Sequence, residues 1–100
     1  MIQHIVIWKL LDEAEGNSAE ANFLLMKEKL GSLIGKIPEL RSLSVVKNEN
    51  PDTRNADVAL ITTFDSLEDL QVYVIHPEHV KVASFVGRVT SGRSAIDFTI

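Results

Sequence analysis

Ile2-Gln3-His4-Ile5-Val6-Ile7-Trp8-Lys9-Leu10 is the stretch on which the fold turns. It is dense in β-branched and aromatic residues, holds no Gly or Pro, and stops at the acidic pair Asp12-Glu13, which reads as a strand. One face carries Ile2, His4, Val6, Trp8 and Leu10, the other Gln3, Ile5, Ile7 and Lys9. Both faces hold large apolar groups, so neither suits water. A sheet built on this strand needs a cover on each side.

The next segment supplies one cover. Asn17 followed by Glu20 has capping-box spacing, and apolar residues recur at Phe23, Met26, Leu30, Leu33 and Ile37, the period of an amphipathic helix. Gly35 and Pro38 predict that this helix ends near Lys36. Leu40 to Lys47 reads as a second strand, Asn48 to Asn55 as an exposed polar loop, and Ala56 to Phe64 as a third strand, again apolar on both faces. Ser66-Leu67-Glu68-Asp69 opens a helix that runs to about Ile75 and is expected to bury Leu67, Leu70 and Val74. His76-Pro77 breaks it, with His76 bracketing the break. From Glu78 a further helix is expected to turn His79/Val80, Ala83 and Val86 inward. Ser91-Gly92 reads as a turn, and Ala95 to Ile100 closes the chain as a strand.

The order β-α-β-β-α-β predicts one α+β domain over residues 1–100, a ferredoxin-like fold whose helices cover one face of a four-stranded antiparallel sheet. The other face would expose more apolar surface than a monomer usually tolerates, so a second copy is the simplest cover and a homodimer is expected.

Composition narrows the partners. Of 100 residues, 45% are hydrophobic and 24% charged, which excludes a disordered or low-complexity chain. A net charge of -4 offers no basic field for nucleic acid. With no cysteine there are no disulfides, thiolate nucleophiles or cysteine-ligated metals. The apolar start is too short to span a bilayer and lacks the features of a signal peptide, so the expectation is a cytoplasmic protein without membrane contact.

The residues in order, Ile2 to Lys9, Ile37-Pro38, Asp57 to Leu60, Phe64-Asp65-Ser66, Tyr73-Val74-Ile75-His76-Pro77-Glu78-His79 and Ile96-Asp97-Phe98, resemble the stress-responsive dimeric α/β-barrel (Dabb) family. The Y-x-x-H-P-x-H segment is the most specific piece. The resemblance implies a ferredoxin-like protomer whose sheet packs on its twofold mate to form a dimeric α/β barrel. Most members have no known activity, and some are linked to stress tolerance. A plant polyketide-cyclase branch performs an intramolecular aldol condensation with acid/base groups between sheet and helices. Carried over by motif, Tyr73 and His79 would be that acid/base pair, His4 would line the same pocket, and Asp97 would sit behind His79. That branch also has a second strand histidine near Val58, absent here, and a smaller residue at the position of Trp8.

The chemistry of the residues themselves leaves two readings of His79. A near-neutral imidazole can take a proton from an acidic carbon if a carboxylate such as Asp97 fixes its tautomer. A buried Asp97–His79 pair can equally be structural, since a buried carboxylate must be paired. Tyr73, with an ordinary pKa near 10, either meets a substrate oxygen or packs as an amphipathic helix residue, and His4 on an apolar strand reads as a core histidine. His76, Glu78 and His79 do not make a zinc ligand set, and no phosphate loop, dinucleotide motif or nucleophile elbow is present. No metal and no cofactor is expected. The functional expectation is a small dimeric stress-response protein with a small apolar or phenolic ligand. The alternative is a cofactor-free cyclase or lyase acting on a polyketide-like or phenolic carbonyl compound. A third class, a haem- or quinol-handling monooxygenase of related dimeric barrels, has no identifiable residue set.

Overall fold

A computed structural model describes residues 1–100. Strand β1 (Ile2–Leu10) is followed by a short hairpin, β2 (Glu13–Ala14) and β3 (Asn17–Ser18), then helix α1 (Ala19–Gly31), strands β4 (Ser42–Lys47) and β5 (Val58–Phe64), helices α2 (Leu67–Ile75) and α3 (Pro77–Val89), and strand β6 (Thr90–Thr99). The four long strands form one sheet in the order β4-β5-β1-β6 with every neighbour antiparallel. This is the ferredoxin-like α+β fold, with β1 central as its doubly apolar sequence requires.

Register sorts the two faces. Val6 lies opposite Leu60, which lies opposite Val45, and all three are buried under the helices. Phe23, Met26, Leu30, Leu33 and Ile37, the apolar series read from the sequence, complete that core with Phe64, Leu70 and Val89. On the other face Ile7 pairs with Ala59, which pairs with Val46, and Ile5 pairs with both Ile61 and Ile96. No element covers this side: Ile7 is 39% exposed, Val46 43%, Phe98 37% and Ile96 61%.

Several element boundaries differ from the sequence reading. Glu15 and Gly16 both have positive φ and turn the β2-β3 hairpin, so Asn17 belongs to β3 and Ser18 caps α1, its hydroxyl accepting from the Ala21 N–H. Helix α1 ends at Gly31, earlier than Lys36. Beyond it Leu33, Ile34 and Lys36 donate to carbonyls three residues back. That tighter turn preserves roughly the helical spacing of side chains, so Leu33 and Ile37 still reach the core. Ser66 caps α2 as expected, accepting from the Asp69 N–H, and His76 caps α3 through Nδ1, which accepts from the Glu78 N–H.

Helix α2 buries Leu70 and Tyr73 rather than Leu67 and Val74, which are 55% and 39% exposed. The helix is only nine residues long and its inward line is set by the Tyr73 ring, whose centroid lies 5.1 Å from that of Phe64. On α3, Val86 and Val89 are buried and His79 is half-buried, while Val80 faces solvent. The expected Ser91-Gly92 turn is instead inside β6. Ile7 pairs with Ser94 but Lys9 pairs with Ser91, so Gly92 and Arg93 together oppose Trp8. Gly92 has φ +62, the left-handed conformation that a glycine bulge uses.

Candidate functional site

Between the helices and the β1-β5-β6 side of the sheet lies a cavity of about 210 Å³. Its apolar wall comes from Trp8, Leu30, Leu60 and Val86, and its polar groups are His4 from β1, Tyr73 from α2, His79 from α3 and Arg93 from β6. The helix-helix break at His76-Pro77 is what brings two of these together: it restarts the helix so that the Tyr73 and His79 rings lie 4.2 Å apart between centroids, tilted by 41°. Trp8 occupies space in this cavity, consistent with its modest volume. A depression of about 500 Å³ on the opposite sheet face, bordered by Ile7, Val46 and Ala59, is more open, carries no histidine or tyrosine, and belongs to the uncovered apolar face.

His4, Tyr73 and His79, singled out from the sequence, thus share one cavity. Asp97 departs from expectation. Its carboxylate is hydrogen-bonded to Nδ1 of His4, not to His79. The reason is register: β6 runs antiparallel to β1 with Asp97 directly opposite His4, so the carboxylate meets the ring beside it. His79 instead donates from Nδ1 to the Val74 carbonyl oxygen at 2.9 Å, bridging the α2-α3 break. Thr62, across from His4 on β5, donates its hydroxyl to the His4 backbone carbonyl and leaves the imidazole alone.

His4 and His79 therefore each have Nδ1 engaged by a hydrogen-bond acceptor, which makes Nε2 the nitrogen with the free lone pair in the neutral ring. Burial lowers the pKa of His79 below its ordinary 6.5; the Val74 carbonyl acts the other way, and electrostatic repulsion from His4, Arg93 and His76 adds to the lowering. Burial pushes the Tyr73 phenol up to about 12. At neutral pH the pair is thus a neutral imidazole beside a protonated phenol, a proton acceptor beside a donor. The Tyr73 hydroxyl is buried and has no hydrogen-bond partner in the protein.

Two outcomes follow directly. Asp97→Asn should change the ring-nitrogen chemical shifts of His4 and leave those of His79 in place; a response at His79 alone would contradict the pairing. Asp97→Ala should destabilise by about 1–3 kcal/mol, because the Nδ1 donor of His4 loses its acceptor. The second outcome concerns pH. With its folded pKa depressed, His79 binds a proton less readily in the folded than in the unfolded chain. The stability from keeping it neutral is complete above 6.5 and is lost as pH falls through 6.5 toward the folded value. Thermal melts from about pH 8 to about pH 5 should show wild type losing more stability than His79→Gln below that point, with parallel curves above it.

A four-stranded antiparallel sheet with helices on one face, closing over a cavity lined by two imidazoles and a phenol, defines a ferredoxin-like α+β protein. The chain belongs to the stress responsive A/B barrel domain family, whose model matches residues 2–100. A dimeric protein of unknown function with a ferredoxin-like fold from Bacteroides fragilis is 31% identical, with a TM-score of 0.83 over 99% of this chain and 95% of that one. Two enzymes share the fold at low identity. They are a hydroxynitrile lyase from Passiflora edulis, 16% identical with a TM-score of 0.84 over 99% of this chain and 92% of that one, and SnoaB, a cofactor-independent oxygenase from Streptomyces nogalater, 11% identical with a TM-score of 0.75 over 99% and 91%. No curated protein sequence matches the chain. No helix is long and apolar enough to cross a membrane.

Arg93 is the polar cavity residue that sequence reading missed. A single arginine after a Ser-Gly pair looks like a solvated turn residue, and only the bulge reveals that it stays within the strand and beside Trp8.

Proposed function

We propose that this chain acts as a homodimer that holds a small, mostly apolar carbonyl or phenolic compound in the cavity formed by His4, Tyr73 and His79. The observation that carries this reading is the unpartnered, buried Tyr73 hydroxyl in the wall of an otherwise largely apolar cavity. Such a hydroxyl costs about 1–3 kcal/mol when left unmet, and a ligand oxygen recovers the bond. Dimerisation is supported by the uncovered apolar sheet face and by the dimeric relatives.

A second reading rests on the hydrogen bonds at Nδ1 of His4 and His79. They leave two Nε2 lone pairs for general-base work near a phenol that can hydrogen-bond an enolate oxygen, a cofactor-free arrangement for cyclase- or lyase-type chemistry on a polyketide-like or phenolic carbonyl compound. A base removes a proton from the carbon next to the carbonyl, the electron pair moves to oxygen beside Tyr73, and the carbon is reprotonated or attacks a second carbonyl.

One experiment separates the two. An aryl methyl ketone is incubated with the protein in D₂O and deuterium uptake at its methyl carbon is followed by NMR, alongside ligand-induced shifts in the protein. Shifts at Tyr73 and His79 without protein-dependent uptake support binding alone. Uptake that is lost in His79→Ala with the fold intact supports the acid/base reading. Absence of shifts across a panel of small ketones and phenols would overturn both.

A further inference from the structure

We propose that Arg93 makes the cavity selective for an anionic small molecule, one whose carboxylate or phenolate oxygen meets the guanidinium at the rim while its apolar body lies against Trp8. This inference rests on the binding role of the cavity and adds to it the charge class of the ligand.

Three observations carry it. The chain has four arginines, and Arg41, Arg54 and Arg88 are each ion-paired, with Asp65, Asp52 and Glu15. Arg93 alone has no carboxylate partner. The carboxylate nearest to it in sequence on the same strand face, Asp97, is already engaged by His4. An arginine in a cavity wall, with its fork of donors free, matches a planar anion better than any other ligand class.

The second observation is the bulge. Gly92 at φ +62 and the paired positions on either side place Arg93 across from Trp8, within the strand that borders the cavity. Bulges of this kind re-aim a side chain locally at the cost of ladder hydrogen bonds. The third is the Tyr73 hydroxyl, an unpartnered buried donor in the same wall. Together they offer two hydrogen-bond donor sets to oxygen atoms and an apolar surface between. A volume of 210 Å³ equals about seven waters at roughly 30 Å³ each, the size of one substituted ring.

The test compares benzoate with its neutral isostere benzamide on the 100-residue chain by NMR titration at about pH 7.5 and low salt. Benzoate is expected to bind about tenfold more tightly than benzamide, and added salt should narrow the gap because the guanidinium is exposed at the rim. Arg93→Gln should bring the ratio to within about twofold by weakening benzoate while leaving benzamide unchanged, and Arg93→Lys should retain part of the preference. His79→Gln should retain the preference. Equal binding of the two probes to wild type, or a preference that survives Arg93→Gln, overturns the inference while leaving a ligand cavity in place. A preference lost in His79→Gln and kept in Arg93→Gln would assign it to the imidazole and also overturns it. If neither probe binds, nor any ketone or phenol of the earlier panel, the binding role itself falls.

Discussion

Wild type is expected to run as a dimer of twice 11.1 kDa at micromolar concentration and Ile96→Asp as a monomer. The face of the sheet away from the helices carries Ile5, Ile7, Ile61, Val46, Ile96 and Phe98 in adjoining registers, with four of these more than a third exposed in the single chain. A twofold interface presents each residue twice, so one substitution buries two unpaired carboxylates. At about 3–5 kcal/mol each, the loss is about 6 kcal/mol or more, a rise of at least about 10⁴ in the dissociation constant. Sedimentation equilibrium or light scattering reads the mass. Ile34→Asp, at an exposed isoleucine beyond the end of α1, should leave the mass unchanged. The melting temperature of wild type should also rise with protein concentration, as it does when association and folding are linked. A wild-type monomer, or a dimer that persists in Ile96→Asp, would show that this face meets something other than a second copy.

The Tyr73 substitutions should move stability in opposite directions. Tyr73→Ala removes a ring that is 1% exposed and packed between Phe64 and His79, and the cavity left behind should cost about 3–5 kcal/mol. Tyr73→Phe keeps the ring and deletes the hydroxyl that has no partner. It should therefore stabilise the empty protein by about 1 kcal/mol, a gain of roughly 4–8 °C in melting temperature for a domain of this size. The same change should weaken binding of a small phenol or ketone about tenfold, because the ligand oxygen loses its donor. Stability gained and binding lost at one atom is the pattern expected where a site is held in an unfavourable state for function. Denaturant melts of the ligand-free proteins and an NMR titration check the two halves. If Tyr73→Phe destabilises the empty protein, the hydroxyl has a partner, such as an ordered water, and the argument for a ligand oxygen weakens.

How much of this was legible in the sequence depends on the range of the interaction concerned. The doubly apolar run from Ile2 to Leu10, the helical spacing from Phe23 to Ile37, the Ser66 cap and the His76-Pro77 break are local patterns, each fixed by periodicity or by backbone chemistry within a few residues. They determined the element order, the antiparallel ferredoxin-like sheet and the need to cover its second face. They also placed His4, Tyr73 and His79 among the residues worth watching, and the family resemblance put them in one pocket. What the sequence could not decide was register. Asp97 meets His4 rather than His79 because antiparallel pairing sets it opposite position 4, a relation between residues 93 apart that no local pattern encodes. The inward line of α2 was settled by Tyr73 packing on Phe64, outweighing the weaker pull of Leu67 and Val74. Ser91-Gly92 is a turn pattern because glycine permits positive φ, and the structure uses that same freedom for a bulge inside β6. Propensity names the conformations a residue can adopt; only the long-range pairing of β6 with β1 chose between turn and bulge, and with that choice placed Arg93 in the cavity wall.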